Sequence, residues 1–170
     1  MCIKLLLAIF WGKNKAGEIK MESKIGHLLV AGESEELEYK TALPRNRELA
    51  RLIAGMANSN GGDILVGVED NGAVIGIQKD ANISEGVMAA ATSLNPPVNV
   101  STQFYTINGR DVLHIKVPHS LSTHFDNYGK YFKRVGEKTE IISTIVTSDG
   151  TRVFTESGST AYIKFFGYPD

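Results

Sequence analysis

Apolar and polar residues change their period several times along this 170-residue chain, and each change marks an element. From Glu36 to Lys40 the period is two, so Leu37 and Tyr39 face one side of a short strand and Glu36, Glu38 and Lys40 the other. Leu49, Leu52, Ile53 and Met56 then fall at helical spacing, with Pro44 suited to a first turn. Arg45, Arg47, Glu48 and Arg51 lie off that stripe and read as a solvated face. Asn58 to Gly62 (NSNGG) tolerates a left-handed cap, which stops the helix. Asp63 to Glu69 (DILVGVE) reads as a buried strand, Asp70, Asn71 and Gly72 as a tight turn, and Ala73 to Ile77 as the return strand of a hairpin.

Asn82 or Ser84 is placed to cap a second helix running to about Leu94, which Pro96 and Pro97 end. Val98 to Ile107 alternates as a strand, Asn108 and Gly109 turn it, and Arg110 to Val117 is its partner. A polar loop from His119 to Gly129 leads to a short strand, Tyr131 to Val135. Ile141 to Thr155, with Ser148, Asp149 and Gly150 as a turn, reads as a further hairpin, and the end from Ala161 as a docked strand or a tail. Upstream, Met21 opens a short helix leading to Glu33. The apolar stretch in MCIKLLLAIFWG is too short to span a bilayer, and no convincing cleavage site follows it. The expected architecture is α+β: a mixed β-sheet with hairpins, flanked by two to three helices. Residues 21–140 form its domain, 1–20 an N-terminal extension (or the product of a misassigned start, or a segment packed through Leu5 to Phe10), and 141–170 a C-terminal hairpin or tail packed on the domain.

A hydrophobic content of 42% suits one domain with a sizeable core. The formal net charge of -1 removes the simple electrostatic case for nucleic acid, so any such binding must come from a local patch. The best candidate is Phe125 to Lys138 (FDNYGKYFKRVGEK), where aromatic rings interleave with cations, the mixture that stacks on bases and pairs with phosphates. Lys130, Tyr131, Lys133 and Arg134 are its candidate binding residues, although strand geometry splits them between two faces, and an amphipathic strand with ordinary surface lysines gives the same pattern. Cys2 has no partner for an internal disulfide, and no zinc-type Cys/His cluster exists, which fits a reducing cytoplasm. His114 reads as a core or edge histidine, and His119 and His124 are too isolated to define a metal site.

Three groups of residues carry a family resemblance: Glu33, Ser34, Glu38, Tyr39 and Lys40; Ala57, Asn58, Gly61 and Gly62; and Gly67, Val68, Glu69, Asp70, Gly72 and Gly76. VLHIKVPHS from Val112 and YFKRVGEKT from Tyr131 add a looser echo. Over about Glu33 to Thr139 the chain resembles the Schlafen AlbA_2 family, also called divergent AAA-4, departing from its usual residues at Tyr39, Ser59 and Glu69. The resemblance implies a nucleic-acid-binding module, DNA-binding and transcription-regulatory in some descriptions. Some members are metal-dependent ribonucleases, so the alternative it implies is an endoribonuclease acting on structured RNA such as tRNA. In that reading Glu33, Glu38 and Asp70 match the acidic triad and bind Mg²⁺ or Mn²⁺, and Lys40 stands beside them to neutralise charge on the phosphate. Outside that reading no cofactor is expected. The same residues also suit a helix end, a solvated strand face and a turn. A third reading, ATP binding, lacks the G-K-[ST] of a P-loop. Because Schlafen proteins carry two such lobes and this chain one, a homodimer forming a two-lobed basic cleft is also expected, with no membrane partner.

Overall fold

The computed structural model describes residues 18–146 and 152–155. The expectations for residues 1–17, for the turn at Ser148 to Gly150 and for the end from Ala161 lie outside these. The described residues fall into two compact units, one up to Gly32 and the other from Glu33 onward. In the first, helix α1 spans Glu18–Ala31, matching the short helix expected before Glu33.

The second unit opens with β1 (Leu37–Lys40), α2 (Asn46–Ala57) and β2 (Gly62–Val66). Parallel pairing of β1 and β2 needs a crossover, and α2 supplies it. Then come α3 (Ala81–Thr92), β3 (Ser101–Ile107) and β4 (Arg110–Val117). The four strands form a mixed sheet in the order β1-β2-β4-β3, its other two pairings antiparallel. Strands β5 (Tyr131–Val135), β6 (Lys138–Val146) and β7 (Arg152–Thr155) form a separate antiparallel sheet in chain order. The fold is α+β, as the pattern of periods predicts.

Register decides where the charges of β1 go. Glu38 pairs with Ile64 and Lys40 with Val66, so both share the sheet face that packs on α2 and α3. The core there gathers Leu49, Ile53, Met56, Ile64, Val66, Val87, Leu113, Ile115 and Phe132, all fully or almost fully buried. Leu37 and Tyr39 turn to the opposite face with Leu65 and are buried there.

The NSNGG segment ends α2 as expected: Asn58 N–H donates to the Ala54 carbonyl (2.9 Å) and Gly61 N–H to that of Met56 (2.8 Å). Gly62 is required by close approach, since a Cβ there would lie 2.5 Å from the Glu36 carbonyl oxygen. Asn108 and Gly109, with φ of 50° and 76°, make the tight β3–β4 turn that Asn-Gly predicts.

Two expectations are corrected. Ala73 to Ile77 is no return strand: it makes a single bridge, Val68 to Val74, because β1 and β4 occupy both edges of β2. The Ile75 and Gly76 N–H groups instead share the Gly67 carbonyl, each at 2.9 Å. The cap of α3 is Asp80, whose side chain accepts from Asn82 N–H at 3.0 Å, so the helix starts before either residue first expected to cap it.

Candidate functional site

Strand β1, helix α2 and the β5–β6 hairpin enclose an open cleft of about 260 Å³. Three carboxylates (Glu38, Glu48, Glu137) and three cations (Lys40, Arg51, Arg134) line it, above an apolar floor that includes Leu52 and Phe132. The charges cancel within it. Glu38 is buried; its Oε1 pairs with Lys40 Nζ, and its Oε2 lies 2.7 Å from Arg134 Nη1. That second contact is close enough to be an ion pair but is not aligned as a hydrogen bond.

Arg134 is 1% exposed. Its Nη2 donates to the Ser34 carbonyl (2.7 Å), its Nε to that of Glu35 (3.3 Å) and its Nη1 to Thr139 Oγ1 (3.3 Å), while its backbone N–H donates to Ser59 Oγ (3.0 Å). The buried guanidinium thus ties the segment before β1 to β5 and β6, with no face left for a phosphate, and the backbone N–H of the same residue holds β5 to the end of α2.

The remaining members of the proposed acidic triad are placed differently. Glu33 Oε1 accepts the Tyr39 N–H at 2.9 Å, holding the entry to β1. Asp70 is exposed on the turn after Val68. Among the described residues no three His, Cys, Asp or Glu side chains are grouped so as to hold a metal ion. The structure therefore brings Glu38, Lys40 and Arg134 together, with Glu33 bonded to the Tyr39 N–H and Asp70 exposed on a turn.

A second surface is built from α2 and the chain from Phe125 to Lys133. The Arg47 guanidinium sits 5.0 Å from the Tyr128 ring centre, and that of Arg51 sits 5.3 Å from the ring of Phe132. Arg47, Tyr128 and Lys130 are exposed, and Lys133 is half-buried. Tyr131 packs its ring against Phe125 at 6.1 Å. Asp126 Oδ1 accepts the N–H groups of Tyr128 and Lys130, both at 2.9 Å, and so fixes the turn that presents them. In the sequence the α2 arginines read as a solvated face; only the fold brings Arg47 to Tyr128, 81 positions along the chain.

Asn58 joins the parts. Its Oδ1 accepts the His124 N–H (2.8 Å), and its Nδ2 donates to the carbonyls of His124 and Phe132 (2.9 Å each), fastening the polar loop and β5 to the end of α2.

On the other sheet face lies a buried polar group. His114 Nε2 donates to Asp63 Oδ1 at 2.6 Å and Lys116 Nζ to Oδ2 at 3.0 Å. Burial pushes the Asp63 carboxyl up, but the hydrogen bonds from His114 and Lys116, together with their charges, outweigh it and hold the group below its ordinary 3.8.

This arrangement of mixed sheet, crossover helix and buried Glu38–Arg134 pair defines a small α+β module. The profile of the family described as "Schlafen, AlbA_2" matches residues 33–143, well over half of the chain, and the chain belongs to that family. No curated protein matches it. Among solved structures, the DIP2311 protein of Corynebacterium diphtheriae is 20% identical over 75% of this chain with a TM-score of 0.52, a likeness of fold. The chain spans 27% of that protein's length. The N-terminal domain of a Nitrosomonas europaea protein described as related to the ATP-dependent DNA helicase RecG is 15% identical, over 93% of this chain and 92% of that one, with a TM-score of 0.41. Among the described residues no helix is long and apolar enough to cross a membrane.

Proposed function

We propose that the chain is a nucleic-acid-binding module whose contact surface is the outer face of α2 together with the turn from Asp126 to Lys133. The observation that carries this reading is the Arg47–Tyr128 pair, which sets an exposed cation against an exposed ring beside Lys130. Cations beside rings suit a polyanion with stackable bases, and family membership favours the same partner class. With a net charge of -1, attraction must come from a patch of this kind. Fluorescence anisotropy with labelled RNA and DNA hairpins across a salt series tests it. Binding that weakens as salt rises supports the reading; no binding at low salt sinks it.

A second reading, the metal-dependent ribonuclease, draws on one observation: Glu38 and Lys40 line an open cleft. As arranged, its carboxylates do not form a shared oxygen set. Glu33 is engaged with a backbone N–H, Asp70 is on an exposed turn, and both Glu38 oxygens face cations. A Mg²⁺ or Mn²⁺ ion at Glu38 would compete with Lys40 and Arg134 for its oxygens. Incubation of labelled tRNA with Mn²⁺, with and without EDTA, separates the readings: cleavage lost in Glu38→Gln would establish the nuclease, whereas the binding reading expects intact tRNA in every lane.

A further inference from the structure

The polar loop after β4 holds a three-residue tip on a clamped base. On one side Ser120 N–H donates to the Ala57 carbonyl at 3.0 Å, and His119 Nδ1 donates to the Ser59 carbonyl. On the other, Asn58 grips His124 through both its N–H and its carbonyl. The two sides are then tied together. His124 Nδ1 lies 2.6 Å from the Pro96 carbonyl, which can only accept, so that nitrogen carries the proton. Nε2 lies 2.7 Å from Ser120 Oγ, a hydrogen bond that closes the base. Ser120 Oγ in turn accepts the Ser122 N–H at 3.1 Å.

What this base displays is Leu121, 98% exposed. A single exposed leucine is ordinary. One at the tip of a clamped loop differs, because much of the cost of ordering it is met during folding and need not be met again on binding. The same loop continues into the Asp126 turn that presents Tyr128 and Lys130, so the apolar tip and the proposed contact residues belong to one connected stretch of chain.

From this, and resting on the nucleic-acid reading above, we infer that Leu121 is a wedge that inserts between stacked bases of the bound nucleic acid. Arg47 and Lys130 supply phosphate attraction, which is indifferent to base stacking. The leucine, with no charge and no hydrogen-bonding group, gains only by leaving water for the space between two bases, and that unstacks the step and bends the strand.

The test uses RNA and DNA hairpins with 2-aminopurine at a stem step, whose fluorescence rises when the base is unstacked. The intact chain should bind and raise the signal. Leu121→Ser should abolish the rise and weaken binding by roughly 5- to 30-fold. Leu121→Met should retain both, and the thermal midpoint of either variant should match the parent, since the side chain touches almost nothing. Binding without a rise, or a rise that survives in Leu121→Ser, overturns the wedge and leaves the binding reading standing. Failure of the intact chain to bind either hairpin overturns that reading, and the wedge with it.

Discussion

The two charged regions that meet along α2 use their charge in opposite ways. In the cleft, Glu38 faces Lys40 and Arg134, and Arg134 spends its donors on Ser34, Glu35 and Thr139. On the outer surface, Arg47, Tyr128 and Lys130 are exposed. The first region contains Glu38, Lys40 and Arg134, which are among the residues that carry the family resemblance; Arg47, Tyr128 and Lys130 of the second are not. A motif can therefore mark the wiring of a fold while residues beside it are the ones free to meet a ligand.

The largest expected effect breaks the wiring. Arg134→Met leaves Glu38 buried without that partner and removes four side-chain interactions, so unfolding in urea should show a loss of about 3–5 kcal/mol. A loss under 1 kcal/mol would mean the cleft is not structural. Next is Asn58→Ala, which strands the His124 N–H and the carbonyls of His124 and Phe132. It should cost about 2–3 kcal/mol and also weaken hairpin binding, because the loop bearing Tyr128 and Lys130 loses its anchor.

The converse change sharpens the contrast. Arg47→Glu with Lys130→Glu should alter stability by less than about 0.5 kcal/mol each, both side chains being exposed. It should nonetheless lower affinity for a hairpin about tenfold or more and flatten the salt dependence by about one unit of slope per lost phosphate contact.

The smallest effect belongs to Asp63. Its folded carboxyl titrates below its unfolded value of 3.8, so its contribution is present above that value and is lost as pH falls through the lower, folded one. Asp63→Asn should leave a flatter stability profile below about pH 4 in acid titrations followed by circular dichroism. An unchanged acid limb would show that His114 and Lys116 do not favour its charged form.

Much of this architecture is legible because it is local. Asn108 and Gly109 specify the β3–β4 turn, Leu49, Leu52, Ile53 and Met56 the buried side of α2, and the alternation at Tyr131 to Val135 a strand whose two faces separate Phe132 and Arg134 from Tyr131 and Lys133. Features set by distant partners are not legible. Ala73 to Ile77 has the composition of a strand, but β4 takes the edge of β2 it would need. Arg134 in Y-x-R-x-G looks like a phosphate ligand until the carbonyls of Ser34 and Glu35 are seen to take its donors. Arg47 looks solvated because Tyr128 is brought to it only by the tertiary fold.

The central claim is that the exposed α2 surface, and not the carboxylate cleft, meets the ligand. Salt-dependent anisotropy with one RNA hairpin, comparing the parent chain, Arg47→Glu with Lys130→Glu, and Glu38→Gln, tests it most directly. The expected result is binding that the charge reversal suppresses while folded Glu38→Gln retains affinity and salt slope. Undiminished binding in the charge-reversed chain, together with altered binding in Glu38→Gln, would contradict the account and place the ligand in the cleft.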